Sequence, residues 1–126
     1  SVGLLPCAGG TQNLPWLVGE GWAKRMILCG ERVNADTALR IGLVEEVVPS
    51  GKGLEKALAL AEMACKQSPS STARCKTLVM SARDGRSHDD GWRMERELFV
   101  ELFSTEDQKE GVNAFLDKRK PEWKNR

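Results

Sequence analysis

The sequence predicts a mostly α-helical chain, and three observations carry that reading. Apolar residues recur at helical spacing through most of its 126 residues. Helix-capping residues and glycines punctuate those stretches, and only one short stretch is rich in β-formers. Residues 11–29 read as helix with one interruption at Val18-Gly19, and Pro15 lies within the first turn, where proline is tolerated. Trp22, Met26 and Cys29 share a face, and Gly30 closes the helix. Asn34 is a suitable N-cap for a short helix over 35–41, with Gly42 as its stop. Residues 43–49 are bounded by Gly and Pro and predict a short strand.

The spacing predicts the clearest helix over 54–67, with Leu54, Ala57, Leu58, Ala61, Ala64 and Cys65 on one stripe. Ser68-Pro69-Ser70 ends it and starts the next helix, where Cys75, Leu78, Val79 and Ala82 repeat the pattern. The short turn between them predicts that these two helices pack as a hairpin. Residues 84–91 are polar and read as loop, with His88 on the surface. A further helix carries Met94, Leu98, Phe99, Leu102 and Phe103. Thr105-x-x-Gln108 has the form of a capping box for the last helix, with Val112, Phe115 and Leu116 inward. Trp16, Trp22 and Trp92 are expected at helix or subunit contacts.

Composition excludes several classes. A hydrophobic fraction of 40% with 29% charged residues is that of a globular domain. The formal net charge of +1 supplies no overall field for nucleic acid or an anionic membrane. No apolar run reaches the length of a membrane span. The four cysteines, Cys7, Cys29, Cys65 and Cys75, form no C-x-x-C pair, and His88 is the one histidine, which argues against a structural zinc site. Three of the cysteines sit among apolar neighbours, as small buried hydrophobes would, and the set fits a reducing, cytoplasmic setting. The apolar opening, residues 1–6, has no element before it to pack on, so a preceding segment is expected.

The run Gly3-Leu4-Leu5-Pro6-Cys7-Ala8-Gly9-Gly10-Thr11-Gln12 is the candidate site. Gly9 and Gly10 remove two Cβ atoms just before a helix N-terminus, which would let a ligand approach unpaired backbone N–H groups. A tight turn that needs positive φ is the alternative reading of the same pair. The whole run resembles the active-site loop of the crotonase superfamily, the enoyl-CoA hydratases and isomerases. Residues 23–33 resemble that family's A-x-x-M-x-L-T-G-x-x-I segment, residues 38–44 its A-x-x-x-G-L-V, and residues 95–103 and 105–121 its C-terminal helices. The likeness covers the chain and about the C-terminal half of the family.

The resemblance implies the C-terminal helical part of a crotonase-like β/α spiral fold, with one or two short strands. Residues 1–49 would end the core, and 50–126 would form a helical region for oligomerisation and for covering coenzyme A. It implies addition of water to a trans-2-enoyl-CoA, a coenzyme A thioester, with no other cofactor. The family's two catalytic glutamates and its oxyanion-hole amides precede the Gly-Gly-Thr-Gln loop, so no catalytic residue is expected in this chain. The expected active-site loop residues are Pro6, Cys7, Gly9 and Gly10. Cys7 replaces a family glycine; its side chain is either a tolerated small group or one that narrows the acyl pocket. A nucleophilic role would need a histidine or lysine beside it.

Phe99 and Lys118 occupy the positions that lie near the adenine and phosphates of coenzyme A in relatives. Core packing for Phe99 and a solvated helix end for Lys118 are the competing readings. Relatives assemble as trimers or dimers of trimers. Within the family, an isomerase, hydrolase or dehalogenase is the rival; outside it, a non-catalytic oligomerisation piece. RNA binding, known for some relatives, is disfavoured by the near-neutral charge.

Overall fold

The computed structural model describes residues 3–126. Six helices follow one another: α1 (Gly10–Leu28), α2 (Ala35–Arg40), α3 (Gly53–Cys65), α4 (Pro69–Ser81), α5 (His88–Leu102) and α6 (Glu106–Leu116). They fall into two compact units, 1–53 and 54–126. The expected strand over 43–49 does not form, and no strand occurs among the described residues. A strand requires a ladder partner for its N–H and C=O groups, and no neighbouring extended segment supplies one here.

In the first unit, α1 breaks at Gly19, whose φ of 77° and ψ of 160° lie outside the helical region. That is the interruption expected at Val18-Gly19. Val18 and Ala23, on either side of the break, are buried, as is Ala38 of α2. Arg25 closes the end of α1 with a two-pronged pair to Glu31 at 2.7 and 2.6 Å and lies 4.1 Å over the Trp22 ring. Asn34 caps α2 through its side-chain oxygen, which accepts the Thr37 N–H at 2.9 Å. The helix ends in a Schellman turn: Gly42 N–H donates to Leu39 O at 3.2 Å and Leu43 N–H to Ala38 O at 2.9 Å. Gly42 takes φ 77°, and a Cβ there would stand 3.2 Å from the Leu17 carbonyl, so glycine answers both demands.

In the second unit α4 packs along α5, and the expected α3–α4 hairpin is not the principal pairing. The turn between α3 and α4 is tied elsewhere. Lys66 O accepts the Trp123 indole N–H at 2.8 Å, and Ser68 donates to Asp107 at 2.9 Å, so α4 leaves the turn in a direction set by the C-terminal tail. The stripe on α3 therefore stays open, with Leu54 and Leu58 exposed, and Leu60 and Met63 outside the stripe are exposed too. Residues 84–91 are only partly loop: Ser87 caps α5 by accepting the Asp90 N–H, and His88 begins the helix. All four cysteines are exposed rather than buried, because the apolar stripes that carry Cys29, Cys65 and Cys75 find no cover. Val112, Phe115 and Leu116 are also exposed, against the inward placement expected; Ala114 is the apolar residue of α6 that is buried. Trp16 and Trp92 likewise stand exposed.

The tail, residues 119–126, folds back along α6. The Asp107 carboxylate is buried and accepts Lys124 N–H at 2.7 Å, Asn125 N–H at 3.1 Å and the Ser68 hydroxyl at 2.9 Å. The main-chain oxygen of Arg126 in turn accepts the Glu106 and Asp107 N–H groups at 2.7 and 3.1 Å. Half of the capping box forms: Thr105 accepts Gln108 N–H at 3.1 Å, while its own N–H turns to Leu102 O at 3.0 Å. Glu110 holds Arg119 at 2.6 and 2.9 Å and accepts Glu122 N–H at 2.8 Å.

These bonds set the acid sensitivity. The Arg119 guanidinium, then the Glu122 amide, hold Glu110 down to about 2 from an ordinary 4.5. For Asp107 burial pushes upward, but the Lys124 and Asn125 amides and the Ser68 hydroxyl outweigh it and leave the group lowered. A carboxylate lowered on folding contributes stability that is complete above its ordinary pKa and lost as pH falls through the folded value. Thermal melts should therefore show the Glu110 contribution disappearing between about 4.5 and about 2. Glu110→Gln should melt lower than the parent at neutral pH and converge with it toward the acid end.

Candidate functional site

The loop before α1 is shaped by two consecutive left-handed residues, Ala8 (φ 52°) and Gly9 (φ 81°). Gly9 is the N-cap of α1 and provides no side-chain cap. Gly10 needs to be bare for a different reason: a Cβ there would lie 3.0 Å from the Pro6 Cβ. Pro6 thus packs directly on the first residue of the helix. The amides are less free than the Gly-Gly pair suggests. Gly10 N–H donates to Cys7 O at 3.0 Å, and Gln12 and Asn13 N–H donate to Gly9 O at 3.0 and 2.8 Å. The left-handed Ala8-Gly9 turn brings the Cys7 carbonyl to the Gly10 amide, while the Gln12 and Asn13 bonds are the first of α1, accepted by the carbonyl of its N-cap, Gly9. Pro6, Cys7, Gly9 and Gly10 therefore form one local structure, with Pro6, Cys7 and Gly9 exposed.

Phe99 and Lys118 belong to the second unit. Phe99 is 60% exposed, so it is not a core residue; it meets Phe103 edge-to-face at 5.2 Å between centroids. It lines a groove of about 590 Å³ between α4 and α5 with Arg74, Cys75, Trp92 and Arg96. Arg74 donates to Ser70 O at 3.2 Å and lies 3.5 Å from Glu101, while its Nε is buried without a partner. His88 lies outside this groove, meeting Trp92 edge-on at 5.8 Å.

Lys118 follows Asp117, the C-cap of α6, and takes φ 53°. Its N–H donates to Phe115 O at 3.3 Å, and Arg119 N–H donates to Ala114 O at 3.0 Å. This is the Schellman turn seen at Gly42, built here on a lysine. Asp107, Glu110, Arg119 and Trp123, which hold that turn and the tail, were not signalled as a group by the sequence. Their spacing, up to sixteen positions apart, fits no helical or strand period.

The profile of the enoyl-CoA hydratase/isomerase family matches residues 1–126. The chain belongs to that family. It is 40% identical over 126 residues to the 2,3-dehydroadipyl-CoA hydratase of Escherichia coli K12, covering 100% of this chain and 49% of that protein. It is 41% identical over 126 residues to a probable enoyl-CoA hydratase of Rhizobium meliloti, again covering 100% and 49%. Among solved structures it is similar to Pseudomonas aeruginosa DspI, at 61% identity and TM-score 0.93, covering 98% of this chain and 47% of that one. Enoyl-CoA hydratase from Bacillus anthracis matches at 36% identity and TM-score 0.93, covering 98% and 48%. The chain spans about half the length of the curated relatives it matches. Its helices are thus the C-terminal helical part of the crotonase fold.

Within this enoyl-CoA hydratase/isomerase family member, Lys118 bears a local cost. A left-handed non-glycine residue costs about 1–2 kcal/mol, and glycine's extra unfolded-state freedom returns about 0.5–1 of that. Lys118→Gly should therefore raise stability by about 0.5–1 kcal/mol, read as a higher Tm. An unchanged or lowered Tm would show that the lysine conformation is not strained.

Proposed function

We propose that the intact protein is an enoyl-CoA hydratase that adds water across the double bond of a trans-2-enoyl-CoA in fatty-acid or related acyl-CoA breakdown. The observation that carries this is the match of the entire chain, at about 40% identity, to relatives named as hydratases. Those names favour hydration over the isomerase, hydrolase and dehalogenase chemistries. The substrate is the coenzyme A thioester, and the reaction needs no other cofactor. Water gives its oxygen to the β-carbon and a proton to the α-carbon; the thioester oxygen carries the intervening negative charge.

In this reading residues 1–49 end the crotonase core, and the Pro6–Gly10 loop is one wall of the site. Cys7 faces the acyl side or is a small spacer there. Residues 50–126 form the oligomerisation and coenzyme A-covering region, with Phe99 at the adenine and Lys118 at the phosphates. The exposed Phe99, Phe103, Phe115 and Leu116 suit a homotrimer or a dimer of trimers in which these helices are covered. No helix among the described residues is long and apolar enough to cross a membrane. Four exposed free thiols suit a reducing cytoplasm.

The reacting carboxylates belong, on this account, to the half of the relatives that the chain does not span. The first acidic residue here, Glu20, lies beyond the loop on α1. Full-length protein should hydrate crotonyl-CoA, and the 126-residue chain alone should show no turnover above a buffer blank. Turnover by the isolated chain would contradict the assignment of its catalytic groups. Absence of hydration by the full-length protein would contradict the reaction itself.

A further inference from the structure

We infer that Glu110 is a positioning residue for Lys118, and that the Glu110–Arg119 clamp holds this lysine ready for the anionic end of the substrate. The inference rests on the proposed role of Lys118 at the phosphates of coenzyme A.

Three observations point the same way. Lys118 adopts the left-handed conformation at φ 53° that glycine normally supplies, as Gly42 does in the equivalent turn of this chain at φ 77°. A lysine at such a position tends to relax or fray unless the chain on both sides is fixed. On one side α6 fixes it through the bonds to Phe115 O and Ala114 O. On the other, Arg119 is gripped by both oxygens of Glu110 at 2.6 and 2.9 Å, and Glu110 also accepts Glu122 N–H at 2.8 Å. Glu110, the end of α6, Lys118 and Arg119 therefore close a ring, and the direction in which the Lys118 side chain leaves the backbone is set by that ring.

Charge is distributed to match. Arg119 is neutralised by Glu110, with Asp117 a further 3.6 Å contact. Lys124 and Arg126 share Glu106 at 3.7 and 3.2 Å. Among the described residues no carboxylate is paired with Lys118, which is exposed. Arg119, Lys124 and Arg126 are thus occupied in holding the tail, while Lys118, like Lys120, has no carboxylate partner among the described residues; it is the turn that distinguishes Lys118, because its backbone is fixed on both sides. A planar guanidinium on a carboxylate gives a directional two-point bond, which suits it to orienting the adjacent residue.

The test uses full-length protein and two substrates, crotonyl-CoA and crotonyl-pantetheine, which lacks the nucleotide phosphates. Lys118→Ala should raise KM for crotonyl-CoA by roughly two- to fivefold, the range of an exposed charge contact, with kcat unchanged. Glu110→Gln and Arg119→Gln should do the same in direction and approach the same size. None of the three should alter KM for crotonyl-pantetheine. If Lys118→Ala leaves KM for crotonyl-CoA unchanged, the assignment of Lys118 fails and the positioning role with it. If Lys118→Ala acts and the clamp variants do not, the positioning role alone is overturned. A clamp variant that affects both thioesters equally, or lowers kcat, shows a merely structural role and overturns it as well. Should Glu110→Gln not fold, Arg119→Lys keeps the charge but not the fork and carries the same expectations.

Discussion

The second unit depends on one buried carboxylate. Asp107 sits in the first turn of α6, where a negative charge suits the helix dipole, yet its side chain is removed from water. Burial of a charge is unfavourable unless donors replace the lost hydration. Here two amides of the tail and the hydroxyl of Ser68 do so. The same three bonds join the end of the chain, the start of α6 and the cap of α4. That anion works with the other ties on the tail, Arg119 on Glu110 and Trp123 on Lys66, and it is the one of them that is buried.

This polar organisation matters because the apolar core is slight. The buried apolar residues among those described are Val18, Ala23, Ala38 and Ala114, three of them alanines. Helix ends are instead defined by caps: Asn34, Ser68, Ser87 and Thr105 each accept an N–H from the first turn. Large apolar side chains on α3, α5 and α6 remain open, as the proposed assembly, which would cover them with other surface, requires.

Much of the local structure was legible because it is local. The break at Gly19, the cap at Asn34, the helix start at Ser68-Pro69-Ser70, the stop at Gly42 and the half-formed box at Thr105 all follow from residue types at particular positions. Periodicity located α3 and α5 but misled about burial, since a stripe records what a helix is built to meet, and Leu58 and Phe115 stay exposed within this chain. The strand over 43–49 failed for the related reason that β structure is a property of pairs. The glycine loop was recognised by residue identity, whereas the use of the Gly10 amide by the Cys7 carbonyl goes with a left-handed Ala8, which alanine gives no reason to expect. The Asp107 and Glu110 bonds to the tail join positions nine to eighteen apart and follow no sequence period.

Amide hydrogen exchange at Lys124 and Asn125 addresses the central constraint most directly. If the Asp107 carboxylate holds the tail, these two amides exchange as slowly as those inside α6, such as Ala114. Exchange at free-peptide rates while α6 stays protected would contradict the account.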